Sequence, residues 1–328
     1  MLAKAVSHDP AARRAHIVLI ILIVIAVIAT FCFMTLGARG SWSFVLKLRG
    51  TKLAGLVLVA SAIATSTVLF QTVTNNRILT PSIMGFDALY ILLQTMLIAS
   101  LGSVAVSRMD STLLYGIEVV LMLVFSGLLF RWLFIGHERS LHLLVLVGII
   151  FGTFFRSLSG FVQRILDPNE FQVLQDMFFS SFNIVDRSLL GFSAVILIGA
   201  LIWTYLLIGR LDVVNLGRAT AINLGLNYRS TVMQALIICA VMVSVSTALV
   251  GPVTFFGLLV ASLAHRLVGT DKHIYLIPTA ILLGIIALVG GQTVLERVFA
   301  FNTALSIIVE FLGGLTFIYL IMRRSRAR

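Results

Sequence analysis

Few residues in this chain could do chemistry, and those few are stranded in apolar sequence. Glu118 and Glu310 fall inside long apolar runs and Glu296 at the end of one. An intramembrane carboxylate is costly and serves either pairing or the movement of protons and ions. Gln71, Asn75, Asn76 and Thr80 gather around Pro81 in and before the segment NNRILTPSIMG at 75–85. His265 and Arg266 end another apolar stretch, as favourable helix-end charges or as functional groups. The usual catalytic signatures do not occur. There is no Gly-x-x-x-x-Gly-Lys-Ser/Thr loop for nucleotide phosphates, no His-Glu-x-x-His and no Gly-x-Ser-x-Gly. Cys32 and Cys239 stand alone in apolar runs, without metal-ligand spacing, and behave as small hydrophobes. The expectation is a protein that is not an enzyme and needs no cofactor, metal ion or catalytic residue.

The elements that position these residues must lie in a membrane. The 328 residues are 59% hydrophobic and 11% charged, with a mean hydropathy of +1.08, whereas a soluble chain is about a quarter charged. Windows long enough to cross a ~30 Å hydrocarbon layer recur at 17–36, 52–72, 88–107, 113–134, 142–162, 188–208, 230–250, 273–295 and 305–322. A shorter tenth lies at 253–268. The fold class is therefore all-α, a polytopic membrane helical bundle of about ten transmembrane helices, forming one domain over 1–328. The basic N-terminus precedes a full-length span and reads as an uncleaved first helix. The net charge of +11 punctuates the apolar runs, so it reports topology and not nucleic-acid binding. With both termini cytoplasmic, 15 basic residues fall inside and nine outside, the bias that membrane insertion favours. The outside loop 37–52 is more basic than this rule likes, and another purpose must hold its charges there.

Between two spans lies a polar island, LDVVNLGRATAINLGLNYR at 211–229. Val214, Leu216, Ala219, Ile222 and Leu224 recur at helix-like intervals in it, as in a short amphipathic rod on which something docks. Pro81 lacks an N–H and keeps Thr80 out of the helical region, so 75–85 is an interrupted passage, either a plain loop or a re-entrant turn lining a path. The stretch 162–187 carries five acidic residues or prolines with apolar Phe171, Val173, Leu174, Met177, Phe178 and Phe179, as in an interfacial helix or a packed loop. Gly127, Gly148, Gly152, Gly160, Gly313 and Gly314 are places where helices can approach closely.

Three passages carry a family resemblance. NNRILTPSIMG at 75–85 resembles an Asn-Pro-Leu-Ala-x-Pro-x-x-Leu-Gly segment, LGRATAINLGLN at 216–227 a cytoplasmic coupling segment, and GPVTFFGLLVASLAHRLVGTDKHIYLIP at 251–278 a Gly-Pro-x-x-Phe-x-Gly-Leu passage. All three belong to the iron-chelate (FecCD-like) permeases of binding-protein-dependent ABC importers, the family that includes the vitamin B12 permease. The resemblance implies two permease subunits around a central path, two ATP-binding subunits below and an extracytoplasmic substrate-binding protein above, in the bacterial cytoplasmic (inner) membrane. It maps coupling to the ATPase onto Leu216, Gly217, Arg218, Ala219, Ala221, Leu224 and Gly225. It makes Arg39, Lys47 and Arg49 candidates for docking the binding protein; Gln71, Asn75, Asn76, Thr80 and Pro81 are candidates for the path by position alone, clustered at the break. Asn76-Arg77-Ile78 replaces the usual Asn-Pro-Leu, and Ala261-Ser262 the usual Pro-His. That form is similar to the branch carrying ferric catecholate siderophores with a second, different permease subunit; an identical partner, and haem or cobalamin as cargo, stay open. A gradient-driven transporter using Glu118 and Glu310 is the rival reading.

Overall fold

The computed structural model describes residues 10–37, 41–135, 141–178, 182, 186–297 and 305–325, and every regular element among them is helical. In chain order these are α1 (Pro10–Thr35), α2 (Trp42–Thr74), a 3-10 turn (Pro81–Met84), α3 (Phe86–Leu101), α4 (Ser103–Arg108), α5 (Ser111–Ile135), α6 (Leu141–Gln163), α7 (Pro168–Met177), α8 (Arg187–Val214), α9 (Arg218–Asn223), α10 (Tyr228–Val250), α11 (Phe256–Val268), α12 (His273–Arg297) and α13 (Leu305–Ser325). Seven of them, α1, α2, α5, α6, α8, α10 and α12, are long and apolar enough to span a membrane. Three shorter apolar stretches, Phe86–Leu101, Phe256–Val268 and Leu305–Thr316, bring seven to the ten expected.

The hub is α2, which packs against α12, α10, α8 and α11. Its middle, Ala60-Ser61-Ala62 with Ala64, Thr65 and Ser66, is buried. Small side chains there let several helices approach one axis, and the hydroxyls of Ser61 and Ser66 turn back to their own helix, donating to the Val57 carbonyl at 2.7 Å and the Ile63 carbonyl at 3.1 Å. On the outside of the bundle α1, α6 and α8 present rows of exposed Ile, Val, Leu and Phe, as lipid-facing helices must.

Three boundaries differ from the hydropathy reading. The expected loop 37–52 is largely helix, because α2 starts at Trp42 and runs for 33 residues, ~50 Å at 1.5 Å per residue. The reason lies in Arg49, whose Nη1 donates to the carbonyls of Phe33, Met34 and Leu36 at 2.7, 3.1 and 2.9 Å. These are orphan acceptors at the end of α1. The span expected at 88–107 stops at Leu101, where Gly102 adopts φ +80°. Its continuation, α4, starts with the Ser103 N–H donating to Glu170 Oε2 at 2.6 Å. That glutamate belongs to α7, the helix that forms within 162–187. Asp167 caps α7 by accepting from the Asn169 N–H at 2.9 Å, and Pro168 opens it. Leu174 is buried against Ile98 and Val106, while Val173 stays exposed; Phe179 lies outside the described residues. Finally, α8 runs past 208 to Val214 and so takes the first residues of the polar island into the helix.

Candidate functional site

The polar island forms a turn, a rod and a second turn. After α8, Gly217 at φ +93° reverses the chain, α9 makes six residues, and Gly225 at φ +82° turns it again towards α10. A side chain at either glycine would be strained in this left-handed backbone. Asn227 then caps α10, its side-chain oxygen accepting from the Ser230 N–H at 3.1 Å. Leu216, Ile222 and Leu224 are 58%, 50% and 63% exposed, and Arg218, Ala219 and Gly225 are exposed beside them. Ala221 faces the other way and is fully buried, so it seats the rod and does not present a surface. The predicted set thus divides into an exposed apolar face with one arginine and a single anchor.

The rod is tied to the bundle through Asp212, in the last turn of α8. Its Oδ1 accepts from the main-chain N–H of His273 at 2.8 Å and from His273 Nδ1 at 2.6 Å. The other ring nitrogen, Nε2, lies 2.7 Å from Thr72 Oγ1 on α2. His273 and Thr72 are buried, and a buried ring with both nitrogens engaged fixes the relative positions of three helices. Beside this link α2 ends at Asn75, in the left-handed region at φ +48°. The Gln71 amide donates to the Arg77 carbonyl at 2.8 Å, and Asn76 Oδ1 accepts from the Ile78 N–H at 3.1 Å. Arg77 Nη2 donates to both carboxylate oxygens of Asp271, at 2.8 and 2.9 Å, and His265 Nδ1 lies 3.4 Å from the same carboxylate. A cavity of about 130 Å³ is lined by Gln71, Thr72, Asn75, Arg77, Asn215, His265 and Asp271. Of the five path candidates, Gln71 and Asn75 line this cavity, Asn76 holds its turn, and Thr80 and Pro81 are buried further along.

From Asn75 the chain climbs back into the bundle. Gly85, at φ +91°, lies against Gly148 and Gly152 in the interior of α6; a Cβ on Gly152 would stand 3.2 Å from Gly85 Cα. The segment 75–85 is therefore re-entrant, and α3 begins at depth. A second break meets it there. At 251–255, between α10 and α11, Thr254 Oγ1 donates to Asp87 Oδ2 at 3.1 Å. Glu310 on α13 is half-buried near the Thr254 backbone. Irregular backbone at membrane depth is sustained only where protein or a water-filled cavity lines it, and here protein lines both breaks, α6 at Gly85 and Asp87 at Thr254. Glu118 is elsewhere, buried between helices, where Gln94 Nε2 donates to its Oε1 and joins α3 to α5.

The FecCD transport family model matches residues 15–323. The chain belongs to the FecCD transport family. It is 47% identical over 317 residues to the petrobactin import system permease protein YclO of Bacillus subtilis, covering 96% of this chain and 99% of that one. To the petrobactin import system permease protein FatC of Bacillus anthracis it is 33% identical over 329 residues, covering 98% and 92%. A chain solved in an inward-facing metal-chelate type ABC transporter shares the fold with a TM-score of 0.82 at 20% identity, over 94% of this chain and 99% of that one.

At the opposite end of the bundle this FecCD protein holds its helix ends with basic residues. Besides capping α1 through Arg49, it pairs Lys52 with Glu296 at 3.5 Å, donates from Arg187 Nη2 to the Lys47 carbonyl at 2.7 Å, and donates from Arg297 to the Leu36 carbonyl. Lys47 is exposed, and Arg39 lies outside the described residues. No sequence spacing announces Asp212 with His273, Arg77 with Asp271, or Asp87 with Thr254, because 61, 194 and 167 residues separate the partners.

Proposed function

We propose that this FecCD family member is one of two membrane-spanning subunits of a binding-protein-dependent ABC importer for a ferric siderophore that holds iron through catechol groups. Two ATP-binding subunits drive it from the cytoplasm, a binding protein delivers the chelate outside, and the second permease subunit is a different chain. It sits in the bacterial cytoplasmic membrane with both termini cytoplasmic. The observation that carries this reading is the exposed apolar face of α9, with Leu216, Ile222 and Leu224 uncovered and the rod locked to α2 through Asp212, His273 and Thr72. Such a face is too small and too polar-flanked to enter lipid, and it suits a partner that pushes. A push on α9 reaches the end of α2 and the break at 75–85 through buried hydrogen bonds, so ATP-driven motion can open or close the passage. The siderophore class rests on the petrobactin permeases that the chain resembles over nearly its whole length. Lys47 and Arg39 are the docking residues for the binding protein, and Arg49 holds the start of α2, where Lys47 is exposed.

Affinity purification from the native membrane in mild detergent tests the proposal. The expected result is co-purification of an ATP-binding subunit and of a second, different permease. Arg218→Glu and Gly217→Trp are expected to lose the ATP-binding subunit while the chain stays inserted. No ATP-binding subunit with the native chain would overturn it.

A further inference from the structure

α6 reads LHLLVLVGIIFGTFFRSLSGFVQ, an apolar helix with one arginine, Arg156, seven residues from its end at Gln163. At ~1.5 Å per residue this is about 10 Å inside the helix. Its side chain is nevertheless exposed. An arginine cannot face hydrocarbon at such a depth without severe cost, so the surface around it is filled with water or covered by something polar. Its position is specific: Nη2 stands 3.6 Å from where a Cβ of Gly152 would be, over the contact that Gly152 makes with the Gly85 break. The guanidinium therefore lies over the place where the re-entrant break at Gly85 meets α6. Behind it, the protein side is acidic. Asp87 is buried, held by Thr254 and Ser82 and within electrostatic reach of Arg156, and Glu310 lies half-buried on the other side of Thr254. No ion pair joins Arg156 to either carboxylate among the described residues. With no carboxylate paired to it, the guanidinium of Arg156 keeps a forked set of N–H donors available to a ligand.

We infer that a polar passage runs along this face of α6 and that Arg156 is the group that meets the negative charge of the cargo in it: a charge-selective binding site for an anionic metal chelate. A ferric ion carries three positive charges and each catecholate two negative ones, so a ferric catecholate is anionic, with oxygen acceptors around its rim for a forked donor to engage. The inference rests on the importer reading above and adds to it a residue that selects by charge.

The test uses the intact importer in proteoliposomes with its own binding protein, and one catecholate siderophore ligand loaded either with iron(III) or with a tetravalent metal, which removes one negative charge at nearly constant shape. Arg156→Gln is expected to cut ATP-driven uptake of the iron(III) chelate about ten-fold, the size of losing one charge-assisted hydrogen bond. Uptake of the tetravalent chelate is expected to fall less, so the ratio between the two cargoes drops. Arg156→Lys, which keeps the charge, is expected to restore most of the ratio. An equal loss for both cargoes, or no loss, overturns the inference. Failure of Arg156→Gln to co-purify with its permease partner, with Arg156→Lys failing likewise, overturns it in favour of an inter-subunit contact. Absence of ATP-driven uptake of either chelate by the unaltered importer would instead defeat the importer reading itself.

Discussion

At the end of α8 one carboxylate oxygen holds two N–H groups of His273, and this small feature sets the stiffness of the link between rod and bundle. Removing it strands two donors, one of them on a buried ring, and a buried unsatisfied donor costs roughly 1–3 kcal/mol. Asp212→Ala is expected to lower the melting midpoint of the purified chain in detergent, and Asp212→Asn, which keeps an acceptor, to lower it less. Glycines are the second residue-scale lesson. Sequence alone treats Gly148 and Gly160 as equivalent points of close approach, but a Cβ on Gly148 would meet Met84 Cα at 2.8 Å while Gly160 has nothing within 4 Å. Gly148→Leu is therefore expected to cost about 1–3 kcal/mol through overpacking against backbone that cannot yield. Gly160→Leu is expected to stay within about 0.5 kcal/mol. Thermal unfolding of the two variants side by side checks both. Gly152 and Gly313 behave as Gly148 does, and Gly127 and Gly314 as Gly160 does, because only tertiary contact decides which glycine is crowded.

Among the elements, hydropathy finds the apolar body of each helix and misses what extends or interrupts it. α2 and α8 overrun their windows because polar residues at their ends find partners on other helices, as Arg49 does on α1 and Asp212 on α12. The break at Pro81 is visible in the sequence, since proline chemistry is local. Its return to mid-depth is not, since that depends on Gly85 meeting α6. The rod α9 was legible from its spacing, apart from the inward turn of Ala221. Helix α8 also offers a pH test at its start, which lies outside the apolar span. Asp186 caps it; the Ser188 hydroxyl first, and the Ser188 N–H second, hold the carboxyl below its ordinary value of 3.8. A carboxyl lowered in the folded state contributes stability above its unfolded value and loses it as pH falls through the folded one. Asp186→Asn does not titrate there. The stability difference between native chain and variant is thus expected to hold constant from neutral pH to about 4 and to narrow below it, as read from melting midpoints across an acid series.

For the whole molecule, the decisive property is which end faces the cytoplasm, since the proposed drive enters at α9 and the cargo at the other end. The basic residues count 15 against nine for the rod end inside, and the nine look too many until their uses are considered. Arg49, Lys52, Arg187 and Arg297 all hold helix ends or pair with Glu296. Their place is fixed by packing, so they weigh little against the proposed orientation. The expected outcome can be read with two introduced thiols in a chain whose Cys32 and Cys239 are replaced by alanine. Ile222 is 50% exposed on the rod and Lys47 is exposed at the other end, so either position accepts a label without disturbing the core. A membrane-impermeant maleimide is expected to modify Lys47→Cys in intact spheroplasts and Ile222→Cys only after the membrane is opened. The reverse pattern would put α9 outside, beyond the reach of cytoplasmic ATP, and the coupling assignment would fall with it.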